Sequence, residues 1–216
     1  MDGPEVSAVD EATVRREIGA QRRELAALLD GLPGEKWDEA TLCSGWRVRE
    51  VVAHLTMPFR MSMPRYALEM LKARGDVNRM ADRCARRDAV AFTPRELAAQ
   101  LADNADHPWR PPGGGFAGAL SHDVIHGLDI TVPLGLDHQL PGDRIRIVLG
   151  GLNGRGVKFF GVELAGIELR ADDLDWTYGS GAPLVGNAQD LLLVICGRHL
   201  PPGRLRGEAS ARFTKA

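Results

Sequence analysis

The chain has 216 residues, enough for one large domain, and its 44% hydrophobic and 26% charged residues are typical of globular proteins. Its formal net charge of −2, with no long run of Lys or Arg, argues against a nucleic-acid-binding protein. No apolar run approaches the ~20 residues of a membrane-spanning helix, and the acidic N-terminus lacks the apolar core of a secretory signal.

The cysteines point to a reducing compartment. Cys43, Cys84 and Cys196 are odd in number, widely spaced and never paired as CxxC. This pattern argues against a disulfide framework and against a cysteine-rich zinc site. We therefore expect a cytoplasmic protein that makes no contact with a membrane.

The first two thirds of the chain carry helical patterns. They cover residues 10–32, 47–58, 66–71, 76–91, 93–106 and 116–133. Pro58 and Pro64 are expected to kink or split the helix that starts at Arg47. Thr93 and Glu96, with a proline between them, predict a capping box at the start of a later helix.

After residue 140 the pattern changes. Three segments follow, over residues 142–155, 162–181 and 186–198. The first can form one more helix, the second alternates as β-strands do, and the third predicts a short amphipathic helix ending at Gly197. The Pro-, Gly- and Arg-rich tail is expected to be poorly ordered or to lie on the surface. The prediction is a mainly α protein, with a helical bundle over 1–140 and a small α+β region over 141–216 packed on it.

Two histidines stand four residues apart in the segment "ALSHDVIHGLD" (residues 119–129). At that spacing His122 and His126 project from one face of a helix, about 40° apart around its axis, and Asp129 falls on the same face. Two imidazoles so placed can bind one metal ion. Read alone, the pair also fits a core helix that carries polar residues.

His54 adds a third imidazole on the second helix. A lone histidine at such an apolar position would ordinarily be a core residue. In a bundle, however, sites are built from side chains on facing helices. His54 with the later pair would give three ligands and one open position, as in catalytic zinc sites. The other histidines, His107, His138 and His199, are expected to be exposed or to cap helices.

Three separated blocks carry a further pattern. In "LCSGWRVREVVAHL" (42–55) a Gly-Trp leads into a helix that ends in His-Leu, and "SHDVIHGLDI" (121–130) places a His four residues before a second His. The third block is "DWTYGSGAPLVGNAQDLLLVICGR" (175–198). Together they resemble the DinB-like, mycothiol-dependent maleylpyruvate isomerase superfamily, in its actinobacterial branch. The blocks occur in the family's order and span most of the chain.

This resemblance implies an N-terminal DinB-type four-helix bundle and a small C-terminal α+β region. It implies that His54, His122 and His126 bind a divalent metal, usually zinc. The isomerases carry Glu as the middle ligand, whereas His122 stands here, as in the three-His pattern of the wider DinB group. Arg47 stands where many relatives have a capping Thr, so Ser44 is expected to cap the second helix.

The resemblance also implies chemistry. Family members of known activity use a low-molecular-weight thiol, such as mycothiol, on a small electrophile. Three neutral imidazoles leave zinc its full charge, so an incoming thiol is strongly acidified. The implied function is a zinc-dependent thiol transferase or isomerase, with no catalytic side chain assigned. Partners are then the thiol and the electrophile and, as DinB-like bundles are often dimers, a second copy of the chain.

Several side chains near these motifs have two interpretations. Asp129 is a candidate partner for an imidazole N–H, or else a capping or salt-bridge residue. Trp46 and Arg198 are candidates for thiol or substrate binding, or else pack at a helix start and complement a helix dipole. Asp123 is expected to be solvated. Cys43 is not expected to be a nucleophile, because no histidine lies near it in the sequence.

Two other functions remain open. The chain could be a non-catalytic, metal-binding DinB-like stress-response or binding module, which would bind a thiol without turnover. A metal-free helical bundle that serves as a dimerisation partner would explain the helices but not three inward histidines.

Overall fold

The computed structural model describes residues 10–152, 157 and 160–215. In those residues the helices are α1 (Glu11–Asp30), α2 (Val48–Arg60), α3 (Met63–Lys72), α4 (Val77–Ala91), α5 (Pro94–Asp103), α6 (Gly115–Thr131), α7 (Gly142–Gly151) and α8 (Ala188–Ile195). The strands are β1 (Ile167–Ala171), β2 (Thr177–Gly179) and β3 (Ala182–Gly186), and 3-10 helices cover Gly34–Asp38 and Glu208–Phe213. The predicted fold, a mainly α bundle with a small α+β element, is confirmed.

The bundle is formed by α1, α2, α4, α5 and α6, which pack pairwise along their lengths. Its core contains Leu25 of α1, Val52 of α2 and Leu101 of α5. A second core cluster joins α6 to α7, the sheet and α8, through residues such as Leu128 and Leu192. The division of the chain at residue 140 stays a prediction, because this second cluster includes residues on both sides of it.

The helix breaks in this bundle follow local chemistry. Pro58 lies in the last turn of α2, which ends at Arg60, and the side chain of Ser62 caps α3. The predicted split is therefore confirmed. At α5, the Thr93 N–H donates to the Glu96 carboxylate at 2.7 Å and the Glu96 N–H donates to the Thr93 hydroxyl at 3.3 Å, which confirms the capping box.

The start of α2 differs from expectation. The N-cap is Arg47, not Ser44. A turn at Gly45, with φ +76°, separates the exposed Ser44 from the helix. The carboxylate of Glu50 accepts the Arg47 backbone N–H at 2.8 Å and the Arg47 guanidinium at 2.6 Å. The Arg47 N–H is thus bonded within the helix, and the Val48 N–H donates to the Glu39 carbonyl outside it at 3.1 Å.

The sheet has the strand order β2-β1-β3. Leu169 of β1 pairs with Tyr178 of the antiparallel β2 and with Leu184 of the parallel β3. Alternation in the sequence indicated strands up to residue 181, but not β3, because Pro183 and two flanking glycines obscure its pattern.

The C-terminal part requires one correction. All residues of α8 are buried, so the helix is not amphipathic: it is covered by α6, α7 and the sheet. The tail lies largely on the surface, which was one of its two expected alternatives, and it is anchored to the core at a few points. Arg206 exchanges two backbone hydrogen bonds with Val185, and the side chains of Leu205 and Phe213 are buried in the core. Helix α7 ends at Gly151, and the rest of its predicted span, 153–155, lies outside the described residues.

No helix within the described residues is both long and apolar enough to cross a bilayer.

Candidate metal centre and its clefts

The structure brings the three predicted ligands together. His54 comes from α2, and His122 and His126 come from facing α6. The ring centroids are 4.9, 4.9 and 5.0 Å apart, which is nearly an equilateral triangle. The Nε2 atoms of His54 and His122 are 3.0 Å apart, and one nitrogen of each of the three rings lies within 4.8 Å of the others. We call these residues the histidine triad.

Two of the three imidazoles contact a carboxylate through Nδ1. His122 Nδ1 lies 2.9 Å from Asp123 Oδ1, and His126 Nδ1 lies 3.0 Å from Asp129 Oδ2. A carboxylate accepts a hydrogen bond from Nδ1–H, which keeps the proton on Nδ1 and leaves the lone pair on Nε2. Burial lowers the pKa of His126, and burial together with the two neighbouring imidazoles lowers the pKa of His54 well below its usual range. His54 and His126 are therefore neutral imidazoles.

The donor set fits a divalent cation. Neutral imidazole is a common zinc ligand, and Zn–N distances of about 2.0–2.1 Å in a tetrahedral site separate nitrogens by about 3.3 Å. The 3.0 Å contact between two Nε2 atoms is close to that separation. At most one proton can lie between those atoms, and the buried Nδ1 of His54 has no partner among the described residues. Three ligands would leave one position for water or substrate.

Asp123 is buried, which corrects the expectation that it is solvated. Its second oxygen accepts from Nε of Arg22 on α1 at 2.7 Å, and the two side chains are 3% and 1% exposed. Arg22 also donates to the backbone carbonyls of Asn104, Ala105 and His107. Helix α1 covers the face of α6 that carries Asp123.

Asp129 is fully buried and makes both of its predicted kinds of contact. Besides His126, it accepts from Nε of Arg198 at 2.8 Å and from Nη2 at 3.0 Å. Burial alone would raise the pKa of the Asp129 carboxyl, but the hydrogen bonds from His126 and Arg198 hold it well below its usual range. This carboxylate is ionised beside the triad.

Cys43 lies at the triad, although the sequence suggested no histidine near it. Its Sγ is 3.6 Å from His126 Nδ1 and 3.0 Å from Asp129 Oδ2. The loop before α2 is held there by a 3.0 Å hydrogen bond from Leu42 N to the Asp129 carbonyl. Burial and the charge of Asp129 raise the pKa of the Cys43 thiol, so it keeps its proton. Cys43, His126 and Asp129 form a second group with the spacing of metal ligands.

A cleft of about 240 Å³ opens onto the triad. We call it the polar cleft, and its lining includes Ser44, Trp46, His54, Asn78, His126 and Arg198. The Trp46 ring lies 5.1 Å from the His54 ring, and its Nε1 donates to Asp82 of α4 at 2.8 Å. Trp46 and Arg198 thus reach the cleft as the sequence suggested. Asn78 and Asp82 were missed, because nothing in their helical segment marks them.

A second tryptophan contacts the triad from the loop before α6. The Trp109 ring lies 5.1 Å from the His122 ring. Its backbone N–H donates to Nδ1 of the half-buried His107 at 3.1 Å. His138 is half-buried as well, whereas His199 is exposed as predicted. Sequence reasoning missed Trp109, because its loop had no predicted partner.

Comparison with known proteins agrees with this geometry. Residues 18–130, more than half of the chain, match the family model described as the mycothiol maleylpyruvate isomerase N-terminal domain. A crystal structure of the mycothiol-dependent maleylpyruvate isomerase is similar, with 12% identity, a TM-score of 0.63 and 94% of each chain covered. A histidine-to-alanine mutant of that enzyme gives 11% identity, a TM-score of 0.56 and the same coverage.

At such identities the similarity of the two structures concerns the fold. No curated protein matches the sequence at a significant level. The family match, the shared fold and the order of the three sequence blocks agree with one another. The chain belongs to the mycothiol maleylpyruvate isomerase N-terminal domain family.

Proposed function

We propose that this protein is a metal-dependent enzyme that uses a low-molecular-weight thiol, mycothiol or a relative, on a small electrophile. The observation that carries the proposal is the histidine triad. Three imidazoles form a nearly equilateral group beneath an open cleft, and carboxylates orient two of them. Burying three polar rings in this way is unfavourable if they serve only as core packing, and the arrangement is typical of an open metal site.

His54, His122 and His126 would hold the cation, and zinc is the first candidate. When bound, the cation lowers the pKa of a thiol, so that the thiolate is available at neutral pH. Asp123 and Asp129 keep the Nδ1 protons of their histidines in place, so that both Nε2 lone pairs remain available. We propose these roles for the chain's own side chains and assign no catalytic acid or base.

The polar cleft suits the thiol. Ser44 and Asn78 offer hydrogen-bonding groups, and the Trp46 ring forms an apolar wall beside His54. Arg198 uses four of its five N–H groups within the protein: two donate to Asp129, one to the Cys196 carbonyl and one to Cys43 Sγ. We propose that its positive charge and its remaining N–H attract a carboxylate on the thiol or the substrate.

The reaction class follows from a thiol beside an electrophilic double bond. The sulfur forms a bond to the β-carbon, the π pair moves to the α-carbon, and the proton lost by the thiol is returned there. The product of transfer keeps the S–C bond. For isomerisation the α-proton leaves again and the thiolate departs after rotation about the new single bond. The three free cysteines, Cys43, Cys84 and Cys196, suit a reducing cytoplasm, which we propose as its location.

The first test is elemental analysis of the purified protein and two matched variants. We expect about one equivalent of a divalent metal in the wild type. His126→Ala should lose the metal, since one of three ligands is removed, while His199→Ala, the same change at an exposed histidine, should keep it. If the wild type holds no stoichiometric metal, the proposal is wrong.

The second test separates an enzyme from a binding module. Mycothiol is titrated into the metal-loaded protein by calorimetry, and turnover is then assayed with generic electrophiles. Saturable thiol binding with turnover supports the proposal. Thiol binding without turnover on any electrophile would instead favour the non-catalytic module.

A further inference from the structure

A second cleft lies beside the histidine triad and differs in character from the polar cleft. It encloses about 200 Å³, and its lining includes Met57, Pro58, Met61, Tyr66, Trp109 and Arg110. We call it the apolar cleft. Arg110 is the one charged residue in its lining within the described residues.

The apolar cleft adjoins the triad through two elements. On α2, Pro58 follows His54 by four residues and lies on the same face of the helix, and Met61 is the residue that ends this helix. On the other side, the Trp109 ring contacts the His122 ring at 5.1 Å. Trp46 contacts His54 and His126 from the polar cleft. The two clefts therefore lie on either side of the triad, the polar cleft against Trp46 and the apolar cleft against Trp109.

The lining is rich in methionine. Five of the six methionines of the chain fall between residues 57 and 80. Met57 and Met80 are buried in a small cluster with partly buried Met61 and Met70 packed against it. Thioether side chains are flexible and polarizable, so they adapt to apolar groups of different shapes. Such a lining favours an apolar ligand over one that must be hydrogen-bonded.

The volume and the charge of the apolar cleft further restrict the class of ligand that it can bind. A cavity of ~150 Å³ accommodates a benzene ring, so this cleft has room for a phenyl ring with a short extension. The Arg110 guanidinium, which packs over the Phe116 ring at 5.0 Å, supplies one positive charge. A dicarboxylate would bring a second charge against methionine side chains, where desolvation is unfavourable.

We propose that the apolar cleft binds the carbon skeleton of the electrophile, and that the substrate class is an α,β-unsaturated monocarboxylate with an aryl or branched apolar group. The polar cleft is then left to the thiol, and the reacting carbon lies between the two, at the triad. This assignment rests on the proposed function but concerns a separate surface, so that it can be tested without turnover.

The test uses cinnamate and fumarate, which share an unsaturated carboxylate and differ in a phenyl ring against a second carboxylate. Each is titrated into the purified protein, labelled with ¹³C in the methionine methyl groups, with no thiol added. We expect cinnamate to shift the Met57 and Met61 methyl signals to saturation and to leave Met70, which is outside the cleft lining, unchanged. Fumarate should shift neither.

Matched variants locate the binding. Met61→Gln should weaken cinnamate binding by about 5-fold or more, because a polar amide replaces apolar contact surface. Met70→Gln, the same change at a partly buried methionine outside the cleft lining, should leave the affinity within about 2-fold. Arg110→Gln should weaken cinnamate but not the neutral cinnamyl alcohol, because only the acid carries the charge.

Two results would overturn the assignment: fumarate binding as tightly as cinnamate, or cinnamate binding that is indifferent to Met61→Gln. A protein that binds cinnamate at this cleft but holds no metal would contradict the proposed function and leave the cleft in place. A metal-loaded protein that turns over dicarboxylates and does not bind cinnamate would support the proposed function and contradict the assignment of the apolar cleft.

Discussion

Asp123 links the histidine triad to the core of the bundle. One carboxylate oxygen contacts His122 Nδ1 and the other accepts from the buried Arg22. Arg22 in turn satisfies three backbone carbonyls at the end of α5 and in the loop that follows. A change at Asp123 should therefore affect both the metal affinity and the stability of the fold.

We predict that Asp123→Asn lowers the free energy of unfolding by about 3–5 kcal/mol, because it leaves the buried charge of Arg22 uncompensated. The affinity for zinc should fall by about 10–100-fold, because the amide orients His122 less strongly than a carboxylate does. Urea denaturation measures the first effect, and competition with a chromophoric chelator measures the second.

Asp106→Asn is the matched control. Its carboxylate pairs with Arg23, the next residue of α1, but those side chains are 80% and 53% exposed. The same change there should cost at most about 1 kcal/mol and leave zinc affinity unchanged. Equal losses of stability in the two variants would show that the buried pair of Asp123 and Arg22 contributes no more to stability than the exposed pair of Asp106 and Arg23.

At this scale the sequence predicted which histidines come together better than it predicted the residues around them. The four-residue spacing placed His122 and His126 on one face, and the apolar neighbours of His54 placed it inside the bundle. Arg22 and Asp123 are 101 residues apart, and Cys43 and His126 are 83 apart. No local pattern relates such pairs, because helix packing and one loop hydrogen bond bring them together.

Among the elements, the packing of α6 on α1 depends on one glycine. A Cβ at Gly127 would lie 3.0 Å from Nε2 of Gln21 and 3.6 Å from a methyl of Leu25, both on α1. Gly127 follows His126 directly, so the close approach of the two helices also fixes the position of that imidazole. A glycine inside a helix is otherwise unfavourable, and here the contact offsets that cost.

We predict that Gly127→Leu lowers the free energy of unfolding by about 1–3 kcal/mol or more, because the side chain forces α1 and α6 apart. Gly150→Leu, in α7, is the control: no atom lies within 4 Å of a Cβ built there. That variant should change stability by less than about 1 kcal/mol. Thermal denaturation followed by circular dichroism measures both, and a stable Gly127→Leu would contradict the tight contact.

Element boundaries were predictable where a local signal exists. The capping box at Thr93 and the break after Pro58 both appeared as expected, since each depends on neighbouring residues alone. The cap of α2 and the burial of α8 were predicted wrongly. The first depended on whether Ser44 or Glu50 reaches the helix end, and the second on three elements that cover α8 from different sides.

At the scale of the molecule, the C-terminal tail completes the core. Phe213 packs into the cluster that contains Leu128 of α6 and Leu192 of α8. The Leu200 N–H donates to the Phe213 carbonyl at 2.7 Å, which fixes the tail close to Arg198. The composition of the tail suggested disorder or a surface position. Pro201, Pro202 and Gly203 dominate its pattern and obscure Leu205 and Phe213, the two apolar residues that pack into the core.

We predict that Phe213→Ala lowers the free energy of unfolding by about 3–5 kcal/mol, through lost apolar contact and the cavity left behind. Arg212→Ala, its exposed neighbour, should change it by less than about 0.5 kcal/mol. Denaturant titration of both variants provides the measurement. If Phe213→Ala unfolds like the wild type, the tail contributes no core packing.

The placement of the triad on α2 and α6 has a consequence for biosynthesis. His54 and His122 are 68 residues apart, so an unfolded chain offers a cation only the closely spaced pair on α6. Bringing His54 to that pair requires the closure of a long loop, which folding of the bundle supplies. Under the proposed function, a nascent chain would therefore offer zinc all three histidines only after α6, which is synthesised after α2, has docked. Metal binding would then occur after folding and would indicate that the bundle has folded completely.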